Sequence, residues 1–249
     1  MARRAPGLGS DLRWGDVAER LARWWPRFKR DLPWRAARDS YAVLVAEVLL
    51  RRTNASKVVG TYLALMERYP TPRELAKASE RELAELLRPL GLHRTRARQL
   101  RAMARELLER HGGTVPRDVS ELRRLTGVGD YAASAVACFA YGEPVPAVDG
   151  NVLRVLSRLM GRSDLSADEA RSAMAELISC GRPDELTYAV LDLAAQVCSA
   201  RRPKCAECPL ADLCATAQQR FSGRWAQVRA CRRLSSDSTR TATSRVSST

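Results

Sequence analysis

The sequence predicts an all-α fold. Apolar residues recur at helical spacing over most of the chain, as Val17, Leu21, Trp24 and Phe28 illustrate. No stretch alternates strand and helix patterns, and no series of strand-like runs predicts a sheet. With 45% hydrophobic and 28% charged residues, the 249-residue chain has the composition of a globular protein.

Turn and capping residues divide the chain into helices. Pro33 interrupts the first apolar pattern, Thr71 and Ser79 are suited to cap helix N-termini, and Gly112 stops a longer helix. The predicted helices are Trp14–Phe28, Tyr41–Leu50, Val58–Tyr69, Glu74–Ala78, Glu80–Leu87, Thr95–Arg110, Val119–Arg124, Tyr131–Tyr141, Asn151–Met160, Ser166–Ser179 and Glu185–Val197.

The net charge of +14 makes a polyanion the leading partner class, with nucleic acid ahead of acidic lipid. Only four of the 42 basic residues are lysine, and the planar fork of arginine suits phosphate oxygens. No apolar run approaches the roughly 18 residues of a membrane span, and Met1–Arg13 lacks the apolar segment of a secretory signal. We therefore expect a cytoplasmic, nucleoid-associated protein.

The C-terminal segment 218–249 differs from the rest of the chain. It is rich in Ser, Thr and Arg and poor in large apolar residues. Such a segment buries too little apolar surface to offset the entropy of ordering it. We expect residues 218–249 to be a disordered basic tail.

The seven cysteines do not predict a disulfide framework, because their number is odd and the chain is expected in a reducing compartment. Four of them lie within seventeen residues, separated by six, two and five residues: Cys198, Cys205, Cys208 and Cys214. A structural zinc site usually shows two close cysteine pairs, whereas this pattern has one. An iron–sulfur cluster is held by four cysteines, so zinc and iron–sulfur both remain open.

A glycine-rich turn lies between two short predicted helices. Gly127 and Gly129 flank Val128, which allows a tight turn that presents backbone N–H groups at a helix N-terminus. That geometry receives a phosphate oxygen. A plain helix–helix turn is the alternative for so short a pattern.

Two acidic residues are candidates for chemistry. Asp149 directly precedes a predicted helix, where an N-cap is a sufficient local explanation. Glu47 lies within the apolar stretch Leu44–Leu50, so it is either on an exposed stripe or held in a site. Burying it without a partner is costly, and a buried Glu47 is therefore a functional candidate.

Together, the cysteine spacing, the glycine turn and the aspartate loop resemble the endonuclease III and adenine glycosylase superfamily of DNA glycosylases. The resemblance extends from about Asp31 to Cys214. It implies a six-helix domain with a helix-hairpin-helix at 33–143, and a second helical domain formed by 14–32 and 144–217. The second domain would hold a [4Fe-4S] cluster on the four cysteines, and a DNA-binding cleft would separate the two.

Three features distinguish the subfamilies. Endonuclease III enzymes place a catalytic lysine two residues after the second hairpin glycine, where this chain has Tyr131. The resemblance thus implies a monofunctional enzyme that uses water as the nucleophile.

Adenine glycosylases share Leu32–Arg35 but continue the glutamate helix with paired glutamines, where this chain has Arg51 and Arg52. They also carry a further C-terminal domain, for which the tail is too short.

The stretch Glu47–Thr53, with Tyr131 and Asp149, more closely resembles the mismatch thymine glycosylases, which remove thymine or uracil opposite guanine. We expect that activity, on duplex DNA with a mismatched or damaged base, from a monomer. Excision of adenine opposite guanine or 8-oxoguanine is the alternative. A non-catalytic DNA-binding protein is an alternative of another class. The presence of both Asp149 and Glu47 argues against it.

The resemblance also implies roles for individual residues. Asp149 would stabilise positive charge on the sugar, Glu47 would protonate the leaving base, and Tyr131 would line the base pocket. Leu92 matches the residue that fills the space left by an extruded nucleotide, although a core residue after a turn is its alternative. Arg52 matches the other intercalating position and can bond the orphaned guanine.

Overall fold

The computed structural model describes residues 12–36 and 39–221. Within these ranges the chain forms helices and no strand, so the all-α prediction is confirmed. None of the described helices has the length and hydropathy of a membrane span. The α-helices are α1 (Trp14–Phe28), α2 (Pro33–Ala36), α3 (Ser40–Leu50), α4 (Ala55–Arg68), α5 (Pro72–Lys77), α6 (Glu80–Leu87), α7 (His93–His111), α8 (Val119–Arg123), α9 (Asp130–Tyr141), α10 (Gly150–Met160), α11 (Ala167–Ile178), α12 (Pro183–Gln196) and α13 (Ala215–Arg220).

Two short helices were not predicted. Pro33 does not only end the first pattern: it begins α2, because a proline needs no hydrogen-bond acceptor in the first turn of a helix. Helix α13 extends to Arg220 and so covers the first residues of the predicted tail. Residues 222–249, with Cys231, lie outside the described ranges.

The two predicted caps differ. Thr71 and Glu74 form a reciprocal capping box at the start of α5, in which the Thr71 N–H donates to Glu74 Oε2 over 3.0 Å. Ser79 is the N-cap of α6 as predicted, but its side chain makes no capping hydrogen bond. Glu80 and Glu82 instead place negative charge in the first turn of α6, which favours the helix N-terminus.

Buried apolar side chains form two clusters. The hairpin-side core spans Leu32 to Ala137 and surrounds α3, in which nine of eleven residues are buried. The cysteine-side core packs α1 against α10, α11 and α12, with Leu21 and Leu156 fully buried. The division into domains at 33–143 and at 14–32 with 144–217 remains a prediction about folding units.

A buried carboxylate joins elements of both cores. Asp192 of α12 has no exposed surface, and Arg35 of α2 binds it through two hydrogen bonds of 2.6 and 2.9 Å. Arg30 Nε and Trp25 Nε1 donate to the same carboxylate over 2.5 and 3.0 Å. Burial would raise the pKa of Asp192, but the hydrogen bonds and charges of Arg35 and Arg30 together outweigh burial and lower it.

Replacing Asp192 with Asn should therefore lower the free energy of unfolding by about 3–5 kcal/mol, because two partly buried guanidinium groups lose their counter-ion. Urea unfolding of both proteins measures the difference. Asp168→Asn, which removes an exposed carboxylate paired with Arg171, is the matched control and should change stability little. Equal losses in the two variants would show that the buried network contributes nothing special.

Candidate active site

A cleft of about 530 Å³ lies where the two cores meet. Its walls come from α2, α3, the turn after α3, α9, α10 and α12. The titratable groups that line it include Arg35, Glu47, Tyr131, Asp149 and Tyr188. The three residues predicted to be catalytic therefore face one cavity.

Glu47 has almost no exposed surface, at 3%, because α3 is buried on nearly all sides and offers no exposed stripe. Its Oε2 atom is buried and has no hydrogen-bond partner among the described residues. Burial, and secondarily the charge of Asp149, raise the pKa of Glu47 from 4.5 to about 8, whereas Arg35 lowers it by less. Of the two sequence interpretations, the exposed stripe is wrong, because the buried Glu47 side chain lines the cleft.

Asp149 is the N-cap of α10. Its Oδ1 accepts the N–H groups of Asn151 and Val152, each over 2.8 Å, and its Oδ2 accepts Asn151 Nδ2 over 2.8 Å. A carboxylate has about four lone-pair sites, so three occupied sites leave one for the cleft. The local N-cap interpretation is correct, and the cap also fixes the orientation of a carboxylate in the cavity.

Tyr131, near the start of α9, is partly buried beside these carboxyl groups. Burial first, then the charges of Glu47 and Asp149, raise its pKa well above the ordinary value. The phenol is therefore a neutral hydrogen-bonding group. It offers no amine at this position.

Arg35 and Tyr188 also line the cleft, and sequence reasoning assigned them no role. The Arg35 guanidinium lies over the Tyr188 ring, 4.4 Å from its centroid, while its Nη atoms bind Asp192. Arg35 Nε is buried and has no hydrogen-bond partner in the described part of the chain. The sequence signal for Arg35 and its partners is Asp192. Like Glu47, Asp192 is a carboxylate within an apolar helical stretch.

The glycine turn precedes α9 as predicted from the sequence. Gly127 has φ +87, and a Cβ there would meet the Gln99 Cβ at 3.5 Å. No side chain caps α9, so its first N–H groups have no side-chain partner of that kind. The Val128 side chain is buried in the hairpin-side core, and only its backbone can face a phosphate.

Two turns hold strained backbone, and the turn at Arg52 lines the cleft. Arg52 (φ 54) and Leu92 (φ 50) are the non-glycine residues with positive φ in the described ranges. This conformation costs a non-glycine residue about 1–2 kcal/mol, and such strain is concentrated at functional sites. Leu92 is 69% exposed, so the alternative interpretation of Leu92 as a core residue is wrong.

The four clustered cysteines are free and partly buried. Burial, and then the nearby Cys214, Cys198 and Cys205, raise the pKa of Cys208 to about 12. Within residues 12–36 and 39–221, however, no three cysteine, histidine or acidic side chains are grouped as ligands of a single metal ion. Four neighbouring cysteine thiols are the donor set that an iron–sulfur cluster requires.

A hydrogen-bond path joins the cysteine segment to Asp149. Asn151, which donates to Asp149, accepts from Arg154 Nη1 over 3.0 Å. Arg154 Nε donates to the Cys198 carbonyl over 3.0 Å. Arg158 Nη1 also approaches Cys198 Sγ at 3.4 Å. The position of the cysteine segment is therefore coupled to that of the cleft carboxylate.

An all-α fold with a net charge of +14 and a glycine turn at a helix N-terminus has the features expected of a nucleic-acid-binding protein. Residues 45–180 match the family described as HhH-GPD superfamily base excision DNA repair protein. Residues 198–214 match the iron–sulfur binding domain of endonuclease III. The chain belongs to the HhH-GPD superfamily.

Individual relatives agree with this assignment. The thymine-DNA glycosylase of Aeropyrum pernix is 42% identical over 206 residues, which cover 80% of this chain and 92% of the relative. The adenine DNA glycosylase of Homo sapiens is 37% identical over 82% of this chain and 41% of its own length. A solved structure of a thermostable thymine-DNA glycosylase aligns with a TM-score of 0.77 and 34% identity, covering 83% of this chain and 97% of that one.

The predicted superfamily and its DNA-binding character are thus confirmed, and the cysteine segment is an iron–sulfur binding segment rather than a zinc site. The individual site residues remain predictions. What the structure adds is that Glu47, Tyr131 and Asp149 share one cavity. Arg52 lines the same cavity, whereas Leu92 is not one of its lining residues.

The buried Glu47 should make stability depend on pH. The folded chain keeps a proton that the unfolded chain releases between pH 4.5 and about 8, so stability falls as pH rises through that window. Glu47→Gln cannot ionise. Its melting temperature should therefore gain a few degrees on the wild type between about pH 5 and pH 9, as thermal unfolding would show.

Glu82→Gln is the control for that measurement, because Glu82 is exposed on α6 and pairs with Arg68. Its melting temperature relative to the wild type should be nearly constant over the same range. A gain for Glu47→Gln that does not grow with pH would contradict the raised pKa.

Proposed function

We propose that this chain is a monofunctional DNA glycosylase that removes thymine or uracil opposite guanine from duplex DNA. The observation that carries the proposal is the shared cleft, in which a protonated Glu47 faces the carboxylate of Asp149. Tyr131 in place of an amine supports hydrolysis. The similarity to thymine-DNA glycosylases supports the choice of base.

The target base is enclosed by its partner in a duplex, so the nucleotide must leave the stack to reach the cleft. A mismatched pair is weaker and costs less to open. The exposed Leu92 side chain is suited to fill the vacated space. Arg52 is suited to bind the unpaired guanine through its O6 and N7 atoms.

Cleavage of the N-glycosidic bond develops positive charge on the sugar, and the oriented Asp149 carboxylate stabilises it. The same carboxylate accepts a proton from the attacking water through its remaining lone-pair site. Below pH 8 Glu47 holds the proton that the departing base needs, either directly or through a water. The water oxygen forms the new bond to the sugar carbon as the bond to the base breaks.

Tyr131 has no amine that could form an imine with the opened sugar. The product is therefore an intact strand with an abasic site. We expect strand cleavage only after treatment with alkali.

We also propose that the iron–sulfur group is a [4Fe-4S] cluster bound by Cys198, Cys205, Cys208 and Cys214. Four cysteine ligands are what such a cluster requires. When bound, the cluster supplies a rigid covalent cross-link for the segment. Arg154 and Asn151 extend that fixed position to Asp149. We further propose that the chain works as a monomer in the cytoplasm, on nucleoid DNA.

Adenine excision is the second candidate. Leu32–Arg35, which the chain shares with adenine glycosylases, contributes Trp34 and Arg35 to the cleft wall. The human adenine glycosylase is a relative over 82% of this chain. Against this candidate, Arg51 and Arg52 occupy the place of the glutamine pair.

Single-turnover assays on labelled T·G, U·G, A·G and A·8-oxoguanine duplexes test the proposed substrate. We expect release from T·G and U·G, with strand cleavage only after alkali. Release of adenine would refute the thymine proposal and support adenine excision, the second candidate function. Strand cleavage without alkali would refute the monofunctional mechanism.

Asp149→Asn separates capping from chemistry, because Asn caps a helix about as well as Asp. We expect an unchanged melting temperature and DNA affinity, with base release slowed by about a thousandfold or more for loss of the stabilising charge. Gel-shift and single-turnover assays measure the two properties. Substantial turnover by a folded Asp149→Asn protein would remove Asp149 from the mechanism.

Cys205→Ser tests the cluster. The wild type purified under anaerobic conditions should contain about four iron and four sulfide per chain and absorb visible light. The variant should lose iron and sulfide, whereas Cys180→Ser, which replaces an exposed cysteine outside the segment, should retain both. Iron-free Cys205→Ser protein with full base release would contradict a required cluster.

A further inference from the structure

Arg96 is a buried arginine on α7 whose hydrogen bonds lead to both strained turns. Its side chain has only 7% of its surface exposed. Within hydrogen-bond distance lie five acceptors, as many as a guanidinium has N–H groups. They are the carbonyl oxygens of Val48, Leu49, Arg51 and Gly91 and the hydroxyl of Thr53.

Two of these acceptors precede the residues with positive φ. Arg96 Nε donates to the Gly91 carbonyl over 3.1 Å, and Leu92 follows that peptide. Arg96 Nη2 donates to the Arg51 carbonyl over 2.8 Å, and Arg52 follows that peptide. Rotation of either peptide group would relieve the strain at the following residue and would break a bond to Arg96.

The remaining bonds anchor the guanidinium itself. Nη1 donates to the carbonyls of Val48 and Leu49 over 3.3 and 3.1 Å, at the C-terminal end of the buried helix α3. The carbonyl groups in the last turn of a helix have no N–H partner within that helix, so these two can accept hydrogen bonds from Arg96. Arg96 is therefore held by the hairpin-side core and in turn fixes two exposed turns.

Arg51 extends the connection to the glycine turn. Its Nη1 donates to the Gly127 carbonyl over 2.9 Å, while its own carbonyl accepts from Arg96. The Arg52 turn is thus bound on one side to the hairpin and on the other, through Arg96, to the Leu92 turn. One planar side chain sets the distance between the two turns.

We propose that Arg96 is a positioning residue for nucleotide extrusion: it holds the Arg52 and Leu92 turns in their strained conformations so that both enter the duplex together. The proposal rests on the glycosylase function proposed above. It assigns Arg96 to the opening of the base pair and to no step of bond cleavage. Lysine cannot replace it, because an ammonium has three donors and no planar fork.

The test compares one target base in two settings, a mismatched duplex and an unpaired bubble that needs no extrusion. For Arg96→Lys, the ratio of the duplex to the bubble single-turnover rate constant should fall about tenfold, as expected for loss of bonds from a charged donor. The bubble rate corrects for any loss of folded protein. Leu92→Ala should lower the same ratio.

Arg101→Lys is the matched control, since Arg101 also lies on α7 but bonds to Glu80 at 3.5 Å. Its ratio should stay within about twofold of the wild type. In the Arg96→Lys, Leu92→Ala double variant the losses should not multiply, because both act on one step. An equal fall on duplex and bubble, or multiplying losses, would overturn the positioning role.

A fluorescent 2-aminopurine placed beside the mismatch reports unstacking without base release. Its fluorescence should rise when the wild type binds and rise much less with Arg96→Lys; an equal rise would overturn the proposal. If the wild type releases adenine, the thymine proposal fails and the ratio is measured on adenine. If it releases no base, the glycosylase proposal fails and the fluorescence alone decides the role of Arg96.

Discussion

The buried carboxylate of Asp192 is the interaction on which the cleft depends. It neutralises Arg35 and Arg30 and receives Trp25, so that α1, α2 and α12 meet at one point. Arg35 turns its other side toward the cavity, where its charge opposes the rise in the pKa of Glu47. The Asp192 network therefore both positions the helices that form the cleft and places the Arg35 charge beside it. An apolar contact could hold the helices together but could not place a charge there.

The proposed role of Asp149 would make one carboxylate serve both the fold and the chemistry. Its three hydrogen bonds begin α10 and leave one lone-pair site facing the cavity. The network through Asn151 and Arg154 then reaches the backbone of Cys198. A catalytic group is usually placed by residues that are rigid themselves. Here that rigidity comes from a helix start and from the cysteine segment.

Much of this arrangement could be predicted from the sequence. Helical periodicity identified the long helices, and the family resemblance carried by four cysteines and two glycines indicated the iron–sulfur segment and the hairpin. These patterns are local, so a single chain shows them. The proline that begins α2 was interpreted only as an interruption, because α2 is too short to show a period.

Other features depend on contacts between distant parts of the chain. The sequence shows that Glu47 lies in an apolar stretch, but only packing shows that every side of α3 is covered. The partners of Asp192 are about 160 residues away, and those of Arg96 lie in two separate segments. The positive φ of Arg52 was not predictable either, since no glycine marks it.

The uncapped start of α9 has a thermodynamic consequence. A Ser or Asp at position 129 would satisfy one or two of its first N–H groups, and its gain over glycine at an N-cap is only a few tenths of a kcal/mol, roughly. Gly129 leaves those groups unoccupied, and α9 begins without that gain. The free protein is therefore slightly less stable than a variant with a capping side chain at position 129 would be. An anion that bound these N–H groups in the folded chain and not in the unfolded chain would supply the missing acceptor and stabilise the fold by mass action.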